Sequence, residues 1–199
     1  MDLFRSFDLP VLRTARLLLR PLVAGDAPAV FAYAHRPEVS RWCTWDRHAT
    51  LSDSEGFLAW NARLDGMEQI PSWALESLQD GALLGTGGWA WRDPHTGTGE
   101  IGYVLSPESW GKGFATEAVA EILLWGAANL GLTQAIARTM LPNTASMRVL
   151  EKVGFRRVRD EPSGFLKAGV AMDLVHWEKD LAPSPAQAGY LPQGPGRPG

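Results

Sequence analysis

The chain has 199 residues, 45% hydrophobic and 21% charged, enough for one domain with a core of ordinary size and a tail. Its formal net charge of -3, with Lys and Arg scattered rather than run together, argues against a nucleic-acid partner. A single cysteine, Cys43, excludes an internal disulfide and a cysteine-rich metal site. No stretch approaches the roughly 18 apolar residues of a membrane span and none reads as a signal peptide, so a cytoplasmic protein with no membrane partner is expected.

Leu12 to Pro21 is a leucine-rich run closed by proline and reads as a first strand. Asp26 ahead of Pro28 marks a helix start, with Asp26 as N-cap, Val30, Phe31 and Ala34 at helical spacing, and an end near His35. From Arg36 to Thr50 no period is visible, but Trp42, Cys43, Trp45, Asp46 and His48 collect there. That mixture suits a substrate-facing loop with Trp42 and Trp45 against an acceptor, and equally a loop pinned to the core by its two tryptophans. Ser52 and Glu55 form a capping box for a second helix carrying Phe57, Leu58, Trp60, Ala62 and Leu64. Ser72 to Leu78 and Ala82 to Trp91 then flank Asp80-Gly81, a hairpin signature. Gly85, Gly87 and Gly88 inside the second of these strands predict a bulge or a close backbone approach.

After the turn Asp93 to Gly99 comes the stretch EIGYVLSPESWGKGFAT, Glu100 to Thr116. A strand here feeds a glycine-bracketed turn that opens a helix, which leaves several backbone N–H groups unpaired and pointing one way. Gly111 and Gly113 let an anion come against the backbone and Lys112 adds a positive charge, so Gly111 to Thr116 read as an anion seat or as a tight turn without a ligand. No GxxxxGK[ST] occurs, and GKGFAT lacks the third glycine of GxGxxG, which excludes a P-loop and the dinucleotide fingerprint. Ala115, Ala118, Val119, Ile122, Trp125 and Gly126 carry the helix on to Leu130-Gly131.

A strand around Ala135 to Ala137 follows, then Pro142-Asn143 and a shorter helix from Thr144 to Val153, stopped by Gly154. Phe155 to Arg159 and Val170 to Trp177 read as a last strand pair around a Glu161 to Gly169 loop. The order of elements, hairpins plus one βαβ crossover, is an α+β plan for a single domain over 1–181. Residues 182–199, rich in proline and glycine, read as a disordered tail.

TARLLLRPL near the start, IGYVLSPESWGKGFATEA, and PNTASMRVLEKVGF, in this order, resemble the GNAT acetyltransferases, most closely the RimJ/RimL-type branch that acetylates protein N-terminal amines. The likeness runs from Leu12 to Glu178. It implies a GNAT-like α+β fold: a mixed, mostly antiparallel sheet with helices on both faces and strands splayed at the acetyl-CoA site. It also implies acetyl-CoA as co-substrate, with its pyrophosphate on the N–H groups of Gly111, Lys112, Gly113, Phe114, Ala115 and Thr116, and its acetyl carbonyl near the N–H groups of Val104 and Leu105. Asn143 matches an asparagine that contacts the cofactor in the family, a role compatible with a plain helix N-cap. Trp110 stands at the first position of the family's [Q/R]xxGx[G/A] signature, a departure the backbone seat tolerates.

Where many members carry a tyrosine that protonates the leaving thiolate, this chain has Leu150; Ser146, one turn earlier, is then the candidate for the thiol contact. The family often places its base on the strand leading to the seat, which points to Glu100, although a glutamate at a strand end is more often a solvated edge charge. The resemblance implies an acceptor that is a primary amine attacking directly, either a protein or peptide N-terminus or a small-molecule amine, and an enzyme that is a monomer or homodimer. Two rivals remain: a covalent route through Cys43 with His48, for which no residue orients the histidine, and a CoA-binding module without catalysis. No metal is expected, because His35, His48, His95 and His176 lack ligand spacing.

Overall fold

The computed structural model describes residues 8–64 and 68–181, so the proline- and glycine-rich segment 182–199 lies outside the described residues. In chain order the strands are β1 (Leu12–Arg13), β2 (Leu17–Pro21), β3 (Trp73–Ser77), β4 (Leu83–Asp93), β5 (Thr98–Leu105), β6 (Gln134–Met140), β7 (Arg156–Lys167) and β8 (Val170–Asp180). They form one sheet in the order β1-β2-β3-β4-β5-β6-β8-β7. Every neighbouring pair is antiparallel except β5–β6, which is parallel because the long helix α4 (Phe114–Asn129) crosses over between them. The helices α1 (Ala27–Ala34), α2 (Pro37–Ser40) and α3 (Leu51–Asn61) precede the hairpins, and α5 (Thr144–Lys152) follows β6.

Two apolar clusters show that helices cover both faces. The larger packs α4 and α5 on one face, with Ile101, Leu105, Ala118, Ile122, Ala135, Leu150 and Trp177 buried. The smaller gathers Val30, Tyr33 and Leu58 of α1 and α3 against Val104 on the other. Trp89, fully buried, explains two glycines: a Cβ on Gly126 would sit 2.4 Å, and one on Gly99 2.7 Å, from its indole carbons.

The splay that the resemblance implies is present. β5 and β6 pair only from Thr98↔Gln134 to Glu100↔Ile136, so from Ile101 onward the two strands part. On the other side, β5 stays registered with β4 to Gly85↔Leu105. Gly85 is the close approach predicted for the glycine-rich strand, since a Cβ there would lie 2.1 Å from the Val104 carbonyl; the bulge of this pair falls later, between Trp89 and Trp91.

Four local expectations are met differently in the structure, three of them through a competing hydrogen bond and one through a bulge. The first strand breaks between Arg13 and Leu17, where Thr14 closes a turn onto Leu17. Asp26 stands at the N-cap position of α1 without capping it, because its carboxylate accepts from Val23 N–H at 2.9 Å and from the Arg20 fork at 2.8 and 2.9 Å. Helix α3 is capped at Thr50 rather than Ser52: Asp53 accepts from the N–H groups of Ala49 and Thr50, both at 2.8 Å, which leaves Ser52 inside the helix. Finally, the Glu161 to Gly169 loop is mostly strand. An irregularity between Glu161 and Phe165, with Ser163 at φ 54°, absorbs the breakers Pro162 and Gly164 inside a long hairpin that turns at Ala168-Gly169.

Candidate active site

At the end of β5 the chain passes through a 3-10 turn, Pro107–Ser109, and then through Gly111 and Gly113 at φ 72° and 82°. An L side chain costs about 1–2 kcal/mol in that left-handed region. A Cβ at Gly111 would meet no described atom within 4 Å, so conformation rather than crowding requires the glycine. Gly113 caps α4, and the first helical N–H with a helical acceptor is that of Glu117, 3.1 Å from Gly113 O. The amides ahead of it are the unpaired donors of the helix start, at the positive end of a sixteen-residue dipole.

The turn is held from the far end of the chain. Glu117 accepts from Thr14 Oγ1 at 2.6 Å, Arg16 N–H at 2.8 Å and Arg16 Nε at 2.7 Å. Burial pushes the Glu117 carboxyl up, but these bonds and the Arg16 charge together hold it below the usual carboxylate value. Arg16 also donates to the Lys112 carbonyl at 2.9 Å and stacks over Phe114 at 4.6 Å. The TARL motif at the start of the chain is therefore a brace on the seat.

A groove of about 500 Å³ opens from the seat into the parted strands. Of the sequence candidates, Val104, Leu105, Trp110, Gly111, Gly113, Phe114, Ala115, Thr116, Asn143, Ser146 and Trp42 line it. Trp110 donates its indole N–H to Leu105 O at 2.9 Å, so the aromatic at the signature's first position ties the turn back to the strand. Asn143 does cap α5, accepting from Ser146 N–H at 3.2 Å. Trp42 stacks under the Arg41 guanidinium at 4.5 Å.

Three candidates are not brought to the lining. Lys112 is exposed beside the groove. Trp45 packs against the α1–α3 cluster and His48, while its carbonyl and that of Cys43 each receive Lys167 Nζ at 2.8 Å. The long β7–β8 hairpin thus pins this loop, which is why Trp45 serves the core and Trp42 the groove. Glu100 is buried, with one oxygen bound by Arg138 Nε at 2.8 Å and the other by Arg138 Nη2 at 3.0 Å and Trp91 Nε1 at 2.6 Å. Both of its oxygens are therefore engaged within the sheet and point to no groove atom.

One residue that the sequence reading passed over is Tyr103. Its hydroxyl lies 2.9 Å from Ser146 Oγ and 3.2 Å from Ser146 O, inside the groove lining. Burial pushes the phenol up to about 12, so the pair is neutral and can only donate or share protons near neutrality. The strand period could have shown it, because Tyr103 falls between Ile101 and Leu105 on the face that meets the crossover helices. Leu150, by contrast, is fully buried core.

The covalent rival finds no geometry. Cys43 Sγ donates to Val39 O at 3.2 Å and burial pushes its thiol up to about 11, while His48 Nδ1 is engaged with Ser54 Oγ at 2.7 Å. Among the described residues no cluster of three or more His, Cys, Asp or Glu side chains suits a metal, and no helix is long and apolar enough to cross a membrane.

Residues 16–156 match the acetyltransferase (GNAT) domain family. The chain belongs to the GNAT acetyltransferases. It is an acyltransferase, and its eight-stranded mixed sheet is the GNAT fold. An uncharacterized N-acetyltransferase of Bacillus subtilis strain 168, YoaA, is 32% identical over 148 residues, 74% of this chain and 84% of its own. Among solved structures, the RimL ribosomal L7/L12 alpha-N-protein acetyltransferase in complex with coenzyme A superposes with a TM-score of 0.79 at 14% identity, covering 86% of this chain and 98% of that one. The spermidine N-acetyltransferase of Vibrio cholerae, in complex with CoA and spermine, gives 0.74 at 18%, covering 84% and 97%. At these identities the two structures speak for the GNAT fold and not for the acceptor.

Proposed function

We propose that this GNAT enzyme is a cytoplasmic acetyl-CoA-dependent N-acetyltransferase, acting as a monomer or homodimer over a 1–181 domain, and that its acceptor is the α-amine of a protein or peptide N-terminus. The observation that carries the donor half is the run of unpaired N–H groups at the start of α4, opening without interruption into the gap between β5 and β6. Those groups, with Lys112 outside, suit a pyrophosphate. Arg148 and Lys152 line the same groove and add positive charge for further phosphate.

Only a neutral amine attacks a thioester carbonyl, and its proton then leaves to water. Glu100, bound at both oxygens, orders Arg138 and Trp91 rather than taking that proton. The Leu105 N–H, on the edge freed by the splay, steadies the carbonyl oxygen as charge develops, whereas the Val104 N–H points to β4. Ser146 Oγ donates a hydrogen bond to the departing sulfur, and Tyr103 holds that hydroxyl in place from behind. Thiolate is a good leaving group, so a hydrogen bond suffices although Leu150 stands where many members carry a proton-donating tyrosine.

For the acceptor, charge favours one amine over a polycation. Glu100 is matched by Arg138, and Glu161, further along the sheet, by His176 at 2.6 Å and Arg159 at 3.3 Å. A polyamine needs carboxylates free to meet its second and third charges. The test is turnover of acetyl-CoA with tetrapeptides, ethylamine and spermidine by the wild type and by Ser146→Ala, read as acetylated product. Peptides should be acetylated and spermidine not, with kcat lower by about 10- to 100-fold in the variant as one hydrogen bond to a charged sulfur is lost. Preference for spermidine or ethylamine selects a small-amine enzyme, and acetyl-CoA binding without turnover of any amine selects a non-catalytic CoA-binding module.

A further inference from the structure

Gly102 is exposed although it lies in the middle of β5, an inner strand of the sheet. In this sheet helices cover both faces, so an exposed residue in the middle of an inner strand marks a gap in the cover. Its neighbours on β5, Ile101 and Tyr103, face α4 and α5, which leaves Gly102 on the opposite face with Glu100 and Val104. On that face the chain entering β3 covers Gly88, the direct partner of Gly102, where a Cβ would come 3.1 Å from Ser72 Cα. The cover stops there: a Cβ on Gly102 would meet no described atom within 4 Å.

On the other side β6 has already parted from β5, the last registered pair being Glu100↔Ile136. The open strip over Gly102 therefore has defined ends. One is the Trp91–Glu100–Arg138 cluster, and the other is Val104, which also lines the groove next to Leu105. The strip thus meets the donor groove at Val104, the residue common to both, and approaches it from the opposite face of the sheet. An amine and its substituent arriving there meet bare backbone at Gly102 and a charge-neutral wall behind it.

We infer that Gly102 is the floor on which the acceptor chain lies behind its attacking amine, and that the missing side chain sets how bulky an acceptor can be. The inference rests on the transferase reading and adds a specificity-determining residue to it. A first-residue side chain lying over the strip needs the space that any Cβ at position 102 would take. The backbone at Gly102 is not in the left-handed region, so replacement fills space without forcing the strand.

The experiment compares wild type, Gly102→Ala and Gly102→Leu for acetyl-CoA binding by calorimetry and for kcat/KM on tetrapeptides beginning with Gly, Ser or Phe. Acetyl-CoA affinity should hold in all three proteins. By the selectivity that one methylene imposes in a pocket, kcat/KM on the Phe peptide should fall about 10-fold in the alanine variant and by more than about 100-fold in the leucine variant, with the Gly peptide least affected. Equal turnover by the leucine variant and wild type on every peptide overturns the inference and leaves the transferase reading standing. A wild type that acetylates no amine overturns both. Should the leucine variant lose acetyl-CoA binding, the alanine variant decides alone: an unchanged ratio of Phe to Gly peptide turnover counts against the floor.

Discussion

The two ends of the groove are built from different materials. At the donor end, the strand–turn–helix unit β5–α4 presents backbone: two left-handed glycines, a helix start and a strand edge freed by the splay. Around the place proposed for the acceptor, side chains from distant segments take over: Trp42 of the α2–α3 loop in the groove lining, Lys167 of the β7–β8 hairpin holding that loop, and, outside the lining, the Trp91–Glu100–Arg138 cluster across three strands. Backbone donors recognise what every acetyl-CoA has in common, whereas side chains can vary with the acceptor. In the function proposed above, one region fixes the chemistry and the other chooses its target.

The comparison breaks most readily at the glycines. Changing both Gly111 and Gly113 to valine puts two side chains into left-handed backbone at about 1–2 kcal/mol each and disorders the seat. Acetyl-CoA affinity, measured by calorimetry, should fall about 100-fold or more, the largest loss expected of any change at the donor end. A double variant that binds as wild type does would show that side chains, not backbone, hold the donor.

The brace beneath the seat should give a smaller effect with a pH signature. Glu117 is held below its ordinary value of 4.5, so its contribution is fully present above that value and is lost as pH falls through the depressed folded value. Glu117→Gln should therefore lower stability by about 1 kcal/mol at neutral pH, a modest figure because Arg16 is half exposed and screened. The difference from wild type in denaturant melts should shrink as the pH drops below 4.5. A gap that stays constant down to acid pH would mean that packing, not charge, makes the brace. Smallest of all is Cys43→Ala. Its thiol donates to a backbone carbonyl and is pushed up to about 11, so turnover should be unchanged; a lost activity would revive the covalent route.

The same contrast decides how much could be read beforehand. Gly111, Gly113 and the helix pattern after them are local signals, since a left-handed turn and a cap are decided within a few residues, and the turn and the helix start at Phe114 stand where the sequence places them. The hairpin at Asp80-Gly81, the α4 end at Leu130-Gly131 and the stop at Gly154 were legible for the same reason. Trp42 and Trp45 were indistinguishable, because only Lys167, more than a hundred residues away, decides which of them faces the core. Glu100 looked available because neither Arg138 nor Trp91 announces itself as its partner; their meeting depends on sheet register. Pro162 and Gly164 spelled a loop that the β7–β8 ladder overrides with a bulge.

The brace on Glu117 also bears on how the enzyme comes into being. Thr14 and Glu117 are 103 residues apart, so most of the domain must be synthesised before the first residues find their anchor. Until then, nothing holds Arg16 over Phe114 or against the Lys112 carbonyl. Long-range closures of this kind are slow steps in folding. The donor seat is thus local in sequence yet completed late, and a nascent chain that has made every glycine of the turn still lacks the strap that steadies it.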